Sequence, residues 1–246
     1  MNISDIQTEF KKYVETFDIS DEVIKRKYSH SYRVMGLAKL IASKSNFNKE
    51  DIELATIAGL LHDYARFEQW TKYHTHDDSK SVDHGDLAVK ILFPDEIKKY
   101  IFEQEYYDEI YDAIKYHNKY LVPENLSQHN KMLCNVVRDA DKIDIFYLCG
   151  IDKRLILDDN TSVTYKVEQD FISCKSINVE YVRTKADFVL LKLAMIFDLN
   201  FKCSYSYIKE NKLIEKFYEQ IENKQQFYRC FEIVKKYIDN KIETNS

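Results

Sequence analysis

The chain has 246 residues and a formal net charge of −5, with 45% hydrophobic and 31% charged residues, the proportions of an ordinary soluble globular protein. It has 4 glycines and 2 prolines, where average composition would give roughly 17 and 12. Because β-sandwiches and barrels use Gly and Pro in their many turns, this composition nearly excludes them. The acidic balance also disfavours a nucleic-acid polymer as partner, since phosphate backbones are bound by clustered cations.

The sequence shows no signal for secretion or membrane insertion. The N-terminus lacks a basic region followed by an apolar run, so we expect no signal peptide. The most apolar stretch, from Phe188 to Phe197, is interrupted by Lys192 and is too short to span a bilayer. The 5 cysteines are widely spaced and form no CxxC string, which indicates reduced thiols. We therefore predict a cytoplasmic protein without a membrane partner.

The N-terminal third of the chain follows a helical pattern. Apolar residues at spacings of three and four predict a first amphipathic helix over residues 6–17. Ser20 is the predicted N-cap of a second helix that continues through Ile41. A third helix is predicted to start near Asn48 and to run on through ATIAGLLHDYARF.

Helical periodicity continues to the C-terminus. We expect loops at Lys72–Lys80 and Asp158–Ser162, and helices over Val82–Phe93, Asp108–His117, Asn130–Cys149, Asn178–Leu199 and Ile208–Ile242. The segment Ser162–Ile177 stays open, because TSVTYKV is β-branched enough for a short strand that nothing obvious pairs with. No repeat or Pro/Gly/Ser linker divides the chain. We therefore predict one all-α domain over residues 1–246.

Two His-Asp pairs occur, and their contexts differ. His62-Asp63 follows the apolar run ATIAGLL, inside a predicted helix that must be largely buried. Burying an imidazole and a carboxylate is costly unless they are paired or bind a metal. His76-Asp77 lies in the polar string KYHTHDDSK, where we expect a solvated surface role. Only the first pair calls for an explanation.

Four more residues have the same character: His30, His84, His117 and Asp141 each lie within or at the end of a predicted helix with apolar neighbours. Imidazole nitrogens and carboxylates suit zinc, iron, manganese and nickel. Six such ligands exceed one four-coordinate site but suit two metals that share a bridging carboxylate.

In this order the residues resemble the HD-domain superfamily of metal-dependent phosphohydrolases, whose pattern is His, His-Asp, two further His in many members, and a distal Asp. The string HDYARFEQ resembles the HDxxRFEQ variant of small bacterial members. The resemblance covers about residues 20–150 and implies a helical HD bundle, with residues 151–246 as a helical extension. It implies core metal ligands at His30, His62, Asp63 and Asp141 and further ligands at His84 and His117.

Two differences between this sequence and particular members of the family limit the activities that the resemblance implies. His117-Asn118 stands where members with the GYP signature have a doubled His, so cleavage of cyclic di-GMP is not supported. The residues from Arg66 to Gln69 stand where alarmone hydrolases have a Glu-Asp pair, which disfavours cleavage of ppGpp.

The resemblance implies a hydrolase with one or two divalent metals (Mn, Fe, Ni, Co, Zn or Mg) that activate water for in-line attack on phosphorus. Asp63 would bridge the metals, and Arg33, Arg66 and Lys142 would offset negative charge on the substrate, a nucleotide or another small phosphate ester. For Arg33 and Arg66 a plain salt bridge is an equal alternative.

Two other functions remain open. The same ordered ligands occur in di-iron oxygenases of this superfamily, so the ligand set does not fix the reaction. A non-catalytic nucleotide sensor on the same fold is the second alternative. The loop at residues 70–80 is predicted to border the site in each case, because it connects the His-Asp segment to the helix of His84.

Overall fold

The computed structural model describes residues 2–101, 103–152, 156 and 161–244. These residues form α-helices, short 3₁₀ turns and irregular connections, and no β-strand occurs among them. The prediction of an all-α protein is therefore confirmed. The helices are α1 (Ile3–Val14), α2 (Glu22–Lys44), α3 (Lys49–Leu61), α4 (Arg66–Tyr73), α5 (His84–Leu92), α6 (Tyr107–Tyr116), α7 (Gln128–Ile151), α8 (Tyr165–Ile172), α9 (Lys185–Leu193), α10 (Lys202–Glu210), α11 (Leu213–Gln220) and α12 (Lys224–Glu243).

The chain divides into two compact units, Met1–Ala140 and Asp141–Ser246, and α7 contributes residues to both. The prediction of one domain over 1–246, with a core at about 20–150 and an extension at about 151–246, stays a prediction. No described helix is both long enough and apolar enough to cross a membrane. The five cysteines are free, as their spacing predicts.

In the N-terminal unit, α3 packs against α1, α2 and α6, and α5 packs against α4 and α6. Two of the crossings depend on glycine. A Cβ added at Gly59 of α3 would lie 2.9 Å from the Cβ of Ala38 on α2. A Cβ at Gly85 of α5 would lie 2.8 Å from the carbonyl oxygen of Lys115 on α6. Because Gly59 and Gly85 have no side chain, α3 can approach α2 and α5 can approach α6 closely. Residues at the ends of these helices can then meet.

In the C-terminal unit, α12 packs against α8, α10 and α11, and α8 packs against α9. Helix α9 begins at a capping box, in which Thr184 accepts a hydrogen bond from the Asp187 N–H and Asp187 accepts one from the Thr184 N–H. The core of this unit is aromatic and aliphatic, with Phe171, Phe217, Phe227 and Phe231 among its buried side chains.

Several predicted helix boundaries are wrong. Asp21, not Ser20, is the N-cap of α2, because its carboxylate accepts the Val23 N–H at 2.7 Å. The N–H and hydroxyl of Ser20 instead donate to Asp18. The third helix ends at Leu61, so His62 and Asp63 lie in the turn before α4 rather than inside one long helix. The predicted loop at 72–80 is shorter, since α4 continues to Tyr73 and a 3₁₀ turn covers Asp78–Lys80.

The C-terminal predictions merge elements that the structure separates. Residues 178–199 form α9 with one 3₁₀ turn before it and one after it, because the Thr184 cap starts a new helix at Lys185. Residues 208–242 are divided among α10, α11 and α12, and Lys212 between the first two has a φ of 53°. The possible strand near residue 162 is absent, since Tyr165–Ile172 is helical. The predicted loop at 158–162 lies outside the described residues except for Thr161 and Ser162, which are irregular.

Candidate metal centre

Five predicted ligands converge inside the N-terminal unit. His30 lies within α2, His62 follows the last residue of α3, and Asp63 comes next in the turn. His84 is the first residue of α5, and His117 follows the last residue of α6. Each is at most 4% exposed to solvent. Residues at helix ends can turn their side chains toward one point, which the face of a single helix does not allow.

The carboxylate of Asp63 lies between two pairs of imidazoles. Its Oδ2 atom is 3.4 Å from Nε2 of His30 and 3.6 Å from Nε2 of His62. Its Oδ1 atom is 3.4 Å from Nε2 of His84 and 3.8 Å from Nε2 of His117. Within the pairs the Nε2 atoms are 3.1 Å apart for His30 and His62, and 2.9 Å apart for His84 and His117. Each carboxylate oxygen thus faces its own pair of nitrogens.

Hydrogen bonds at the far side of the rings assign the tautomers of His84 and His117. The Nδ1 atom of His117 lies 2.6 Å from the Ile114 carbonyl oxygen, and Nδ1 of His84 lies 2.6 Å from Oδ2 of Asp78. A carbonyl and an ionised carboxylate only accept, so both Nδ1 atoms carry the proton. Where both rings are neutral, the Nε2 atoms that face each other are unprotonated and carry lone pairs.

This donor set fits a cation. The Nε2 atoms of His84 and His117 are 2.9 Å apart, so their lone pairs repel each other. A cation bound to both nitrogens would remove this repulsion. Nδ1 of His62 likewise lies 2.8 Å from the Gly59 carbonyl oxygen, which leaves its Nε2 atom for a ligand bond. Ligand atoms of His62, Asp63 and His117 all lie within 4.8 Å of one another, a grouping that could hold a metal ion.

The charges around the carboxylate are compatible with metal binding. Burial alone would raise the pKa of Asp63, but the ammonium of Lys27, whose Nζ is 2.6 Å from Oδ2, holds that pKa well below its usual range. Burial and the nearby Arg66 lower the pKa of His84 to about 4, against the opposing effect of Asp78. At neutral pH the site therefore offers an ionised carboxylate and a neutral imidazole, the states in which they bind metals.

Part of the chain is similar to a known protein family. The family model of the HD domain matches residues 28–146, a segment that contains all six predicted ligands. This match supports membership of the HD-domain superfamily. Members of this family are generally metal-dependent phosphohydrolases, and HD domains bind divalent metals. No curated protein and no solved structure matches the chain.

The sixth predicted ligand of the HD domain, Asp141, lies on α7 as the first residue of the C-terminal unit. The part of this helix in the N-terminal unit is anchored by buried Arg138, whose guanidinium donates to the carbonyl oxygens of Tyr116 and Lys119. Nζ of Lys142 lies 2.8 Å from Oδ2 of Asp198. The ligand role of Asp141 and the phosphate-binding role of Lys142 stay predictions.

The two predicted arginines of the HD domain are in different settings. Arg33 lies on α2 and is partly exposed. Arg66, the first residue of α4, directs Nε at Oδ1 of Asp63 (3.3 Å) and Nη1 at Oδ1 of Asp78 (2.9 Å). Its Nη1 also donates to the carbonyl oxygen of His76 at 2.8 Å. These contacts support the salt-bridge alternative for Arg66, whose phosphate-binding role stays a prediction.

The expectation that His76 is a solvated loop residue is wrong. Its side chain is half-buried, and its Nε2 atom is buried with no hydrogen-bond partner among the described residues. Its ring contacts that of Trp70, with centroids 5.5 Å apart. Burial, with Lys27 and Arg66 nearby, lowers the pKa of His76 to about 3. Thr75, His76 and Asp78 are only partly exposed, whereas the other residues of this polar string are exposed, as its composition predicts.

Three residues that the sequence does not predict to be part of the site lie beside the candidate ligands: Lys27, Gln69 and Asp78. Lys27 precedes His30 by three positions on α2, a spacing that places both on one helix face. Gln69 is fully buried, and Asp78 accepts the Nδ1 proton of His84. The hydrogen bond from His84 places the connection between α4 and α5 beside the site, where the sequence predicts it.

Proposed function

We propose that this protein is a metal-dependent phosphohydrolase that acts on a nucleotide or another small phosphate ester. The observation that carries the proposal is the Asp63 carboxylate, which faces one imidazole pair with each of its oxygens. Membership of the HD-domain superfamily supports the reaction class.

Within this proposal the ligands divide between two cations. His30 and His62 hold the first, His84 and His117 hold the second, and Asp63 binds both and screens the repulsion between them. Asp141 joins the first set on the strength of its resemblance to the family pattern. Divalent cations in such a site lower the pKa of a bound water and polarise the phosphoryl oxygen.

The chain's own cations would assist in binding the phosphate ester. Arg33 and Lys142 are proposed to interact with phosphoryl oxygens and to offset the charge that develops during attack. Lys27 is a further cation within the site, and its Nζ lies 2.6 Å from Oδ2 of Asp63.

The test combines metal analysis with a screen of nucleotides and phosphate esters in the presence of Mn, Fe, Ni or Co. We expect two metal equivalents in the wild type, about one in His84→Ala and none in Asp63→Ala, with hydrolysis lost in both variants. His129→Ala is the matched control, since this exposed histidine pairs with Asp51 on the surface. It should keep its metals and its rate.

Two results would overturn the proposal. Two equivalents of iron, oxygen consumption and no phosphate release would establish the oxygenase alternative. Tight nucleotide binding with no turnover under any metal would establish the sensor alternative. Equal metal loss in His129→Ala and His84→Ala would reject the ligand assignment itself.

A further inference from the structure

Asp78 lies at the centre of a hydrogen-bonded cluster between α4 and α5. Its Oδ2 atom accepts from Nδ1 of His84 at 2.6 Å and from Nδ2 of Asn118 at 3.3 Å. Its Oδ1 atom accepts from Nη1 of Arg66 and from Nε2 of Gln69, each at 2.9 Å. Four side-chain donors from three separate segments thus fix both oxygens of one carboxylate.

Gln69 stabilises this hydrogen-bonded cluster through further contacts. Its side chain is fully buried, and its carbonyl oxygen accepts from Nη1 of Arg66 at 2.6 Å. Its amide nitrogen also donates to Oγ of Ser81 and to the carbonyl oxygen of Val82. Arg66 and Gln69 are three positions apart on α4 and therefore share a helix face. Together they bind the connection between α4 and α5 to the first turns of α4.

We propose that Asp78, held by Arg66 and Gln69, is a positioning residue that fixes His84 in the tautomer whose Nε2 atom can bind a divalent cation. This inference rests on the proposed function, because it gives His84 a metal to bind. It assigns Arg66 and Gln69 of the RFEQ string to the support of a histidine that follows them by more than fourteen positions in the sequence.

The physical reason is the choice between two tautomers. A neutral imidazole carries one proton, and the ring nitrogen that keeps it cannot bind a metal. A carboxylate at 2.6 Å from Nδ1 holds the proton there, fixes the ring orientation and makes Nε2 more basic. Without Asp78 the proton is free to move to Nε2, where His117 offers its lone pair at 2.9 Å. The proton would then occupy the position that the cation needs.

The first measurement uses metal-free protein and needs no activity. Imidazole ¹⁵N spectra should show His84 protonated at Nδ1 in the wild type and mainly at Nε2 in Asp78→Ala. Asp78→Asn is the second variant; it preserves the shape of the side chain and should shift the tautomer partly. Asp77→Asn is the matched control, because this adjacent, exposed carboxylate bonds to Ser79 and Lys80 instead.

The second measurement is a metal titration of the same variants. We expect the metal equivalent that His84 binds to lose affinity about 10–100-fold in Asp78→Ala, while the other equivalent and the Asp77→Asn control keep theirs. An Asp78→Ala protein with Nδ1-protonated His84 and affinity within about twofold of wild type would overturn the proposal. The tautomer spectrum separates this failure from failure of the proposed function, since it is decided before any metal or substrate is added.

Discussion

At the scale of single residues, the most consequential contact is the ion pair between Lys27 and Asp63. The two side chains are 20% and 4% exposed, and the Nζ–Oδ2 distance is 2.6 Å. This ammonium neutralises a buried carboxylate. Removing one partner of a buried pair leaves an uncompensated charge, which is strongly destabilising.

Lys27→Met should therefore lower the free energy of unfolding by about 2–4 kcal/mol when metals are chelated. In saturating divalent metal the loss should fall below about 1 kcal/mol, because a bound cation takes over the neutralisation of Asp63. Urea denaturation with chelator and with metal measures both values.

Lys25→Met is the control for this substitution, since Lys25 lies on the same helix and pairs with Glu22 on the surface. Exposed pairs of this kind contribute little, so its effect should stay below about 0.5 kcal/mol in either condition. An identical loss in Lys27→Met with and without metal would contradict the view that Lys27 and the cation neutralise the same carboxylate.

At the scale of elements, the candidate site depends on how closely two pairs of helices approach. Gly59 on α3 faces Ala38 of α2, and its carbonyl oxygen accepts the Nδ1 proton of His62. A methyl group at this position would meet the Ala38 Cβ at 2.9 Å and the Val34 carbonyl oxygen at 3.1 Å. The helices would have to separate, and His62 would move relative to His30.

Gly59→Ala should lower the free energy of unfolding by about 1–2 kcal/mol. Overpacking costs about 1–3 kcal/mol, and the better helix propensity of alanine returns up to about 1 kcal/mol. Thermal or urea unfolding measures the change, and metal content should fall with it.

Gly36→Ala is the matched substitution, because Gly36 is inside α2 and no atom of another described element lies within 4 Å of an added Cβ. It gains helix propensity without a clash and should raise stability by up to about 1 kcal/mol. If Gly59→Ala stabilised the protein as much as Gly36→Ala, the close approach of α2 and α3 would not limit the residue at position 59.

At the scale of the whole molecule, metal binding should stabilise the folded chain by mass action. The chain's single tryptophan, Trp70, lies on α4 and donates from Nε1 to the Asp21 carboxylate that caps α2. Its fluorescence therefore reports the N-terminal unit, which contains the candidate centre. Chelation should lower the urea midpoint of the fluorescence transition.

Free metal at 100 times its dissociation constant should raise the free energy of unfolding by about 2.7 kcal/mol for each site. Asp63→Ala should abolish this increase, and His84→Ala should retain about half of it. A fluorescence midpoint that ignores saturating metal in the wild type would contradict preferential binding of the folded state.

The sequence alone predicts the helical class of the protein, which the structure confirms, and selects His62-Asp63 as the pair that needs a partner. Scarce Gly and Pro exclude turn-rich folds, and the 3.6-residue period of apolar positions marks most helices. His62-Asp63 stood out because ATIAGLL must be buried, and a buried imidazole and carboxylate require partners. Composition, helical periodicity and the order of the ligands are properties of the sequence itself, so they can be recognised without coordinates.

Only the tertiary structure decided which residues surround the ligands. Lys27 and Asp78 look like ordinary surface charges in sequence, and each becomes important through one contact, to Asp63 and to His84 respectively. His76 looked solvated because its neighbours are polar, yet the connection folds its Nε2 atom out of contact with water.

The ends of the helices could not be predicted from local sequence patterns either. The apolar run before His62 continues into Tyr64 and Phe67, so periodicity predicts one helix where the structure has a turn between α3 and α4. That turn exists because both helices pack on α2, and it directs His62 and Asp63 to the point where the other histidines converge. Long-range packing free energy, which no local window contains, decides where a helix stops and what its last residue faces.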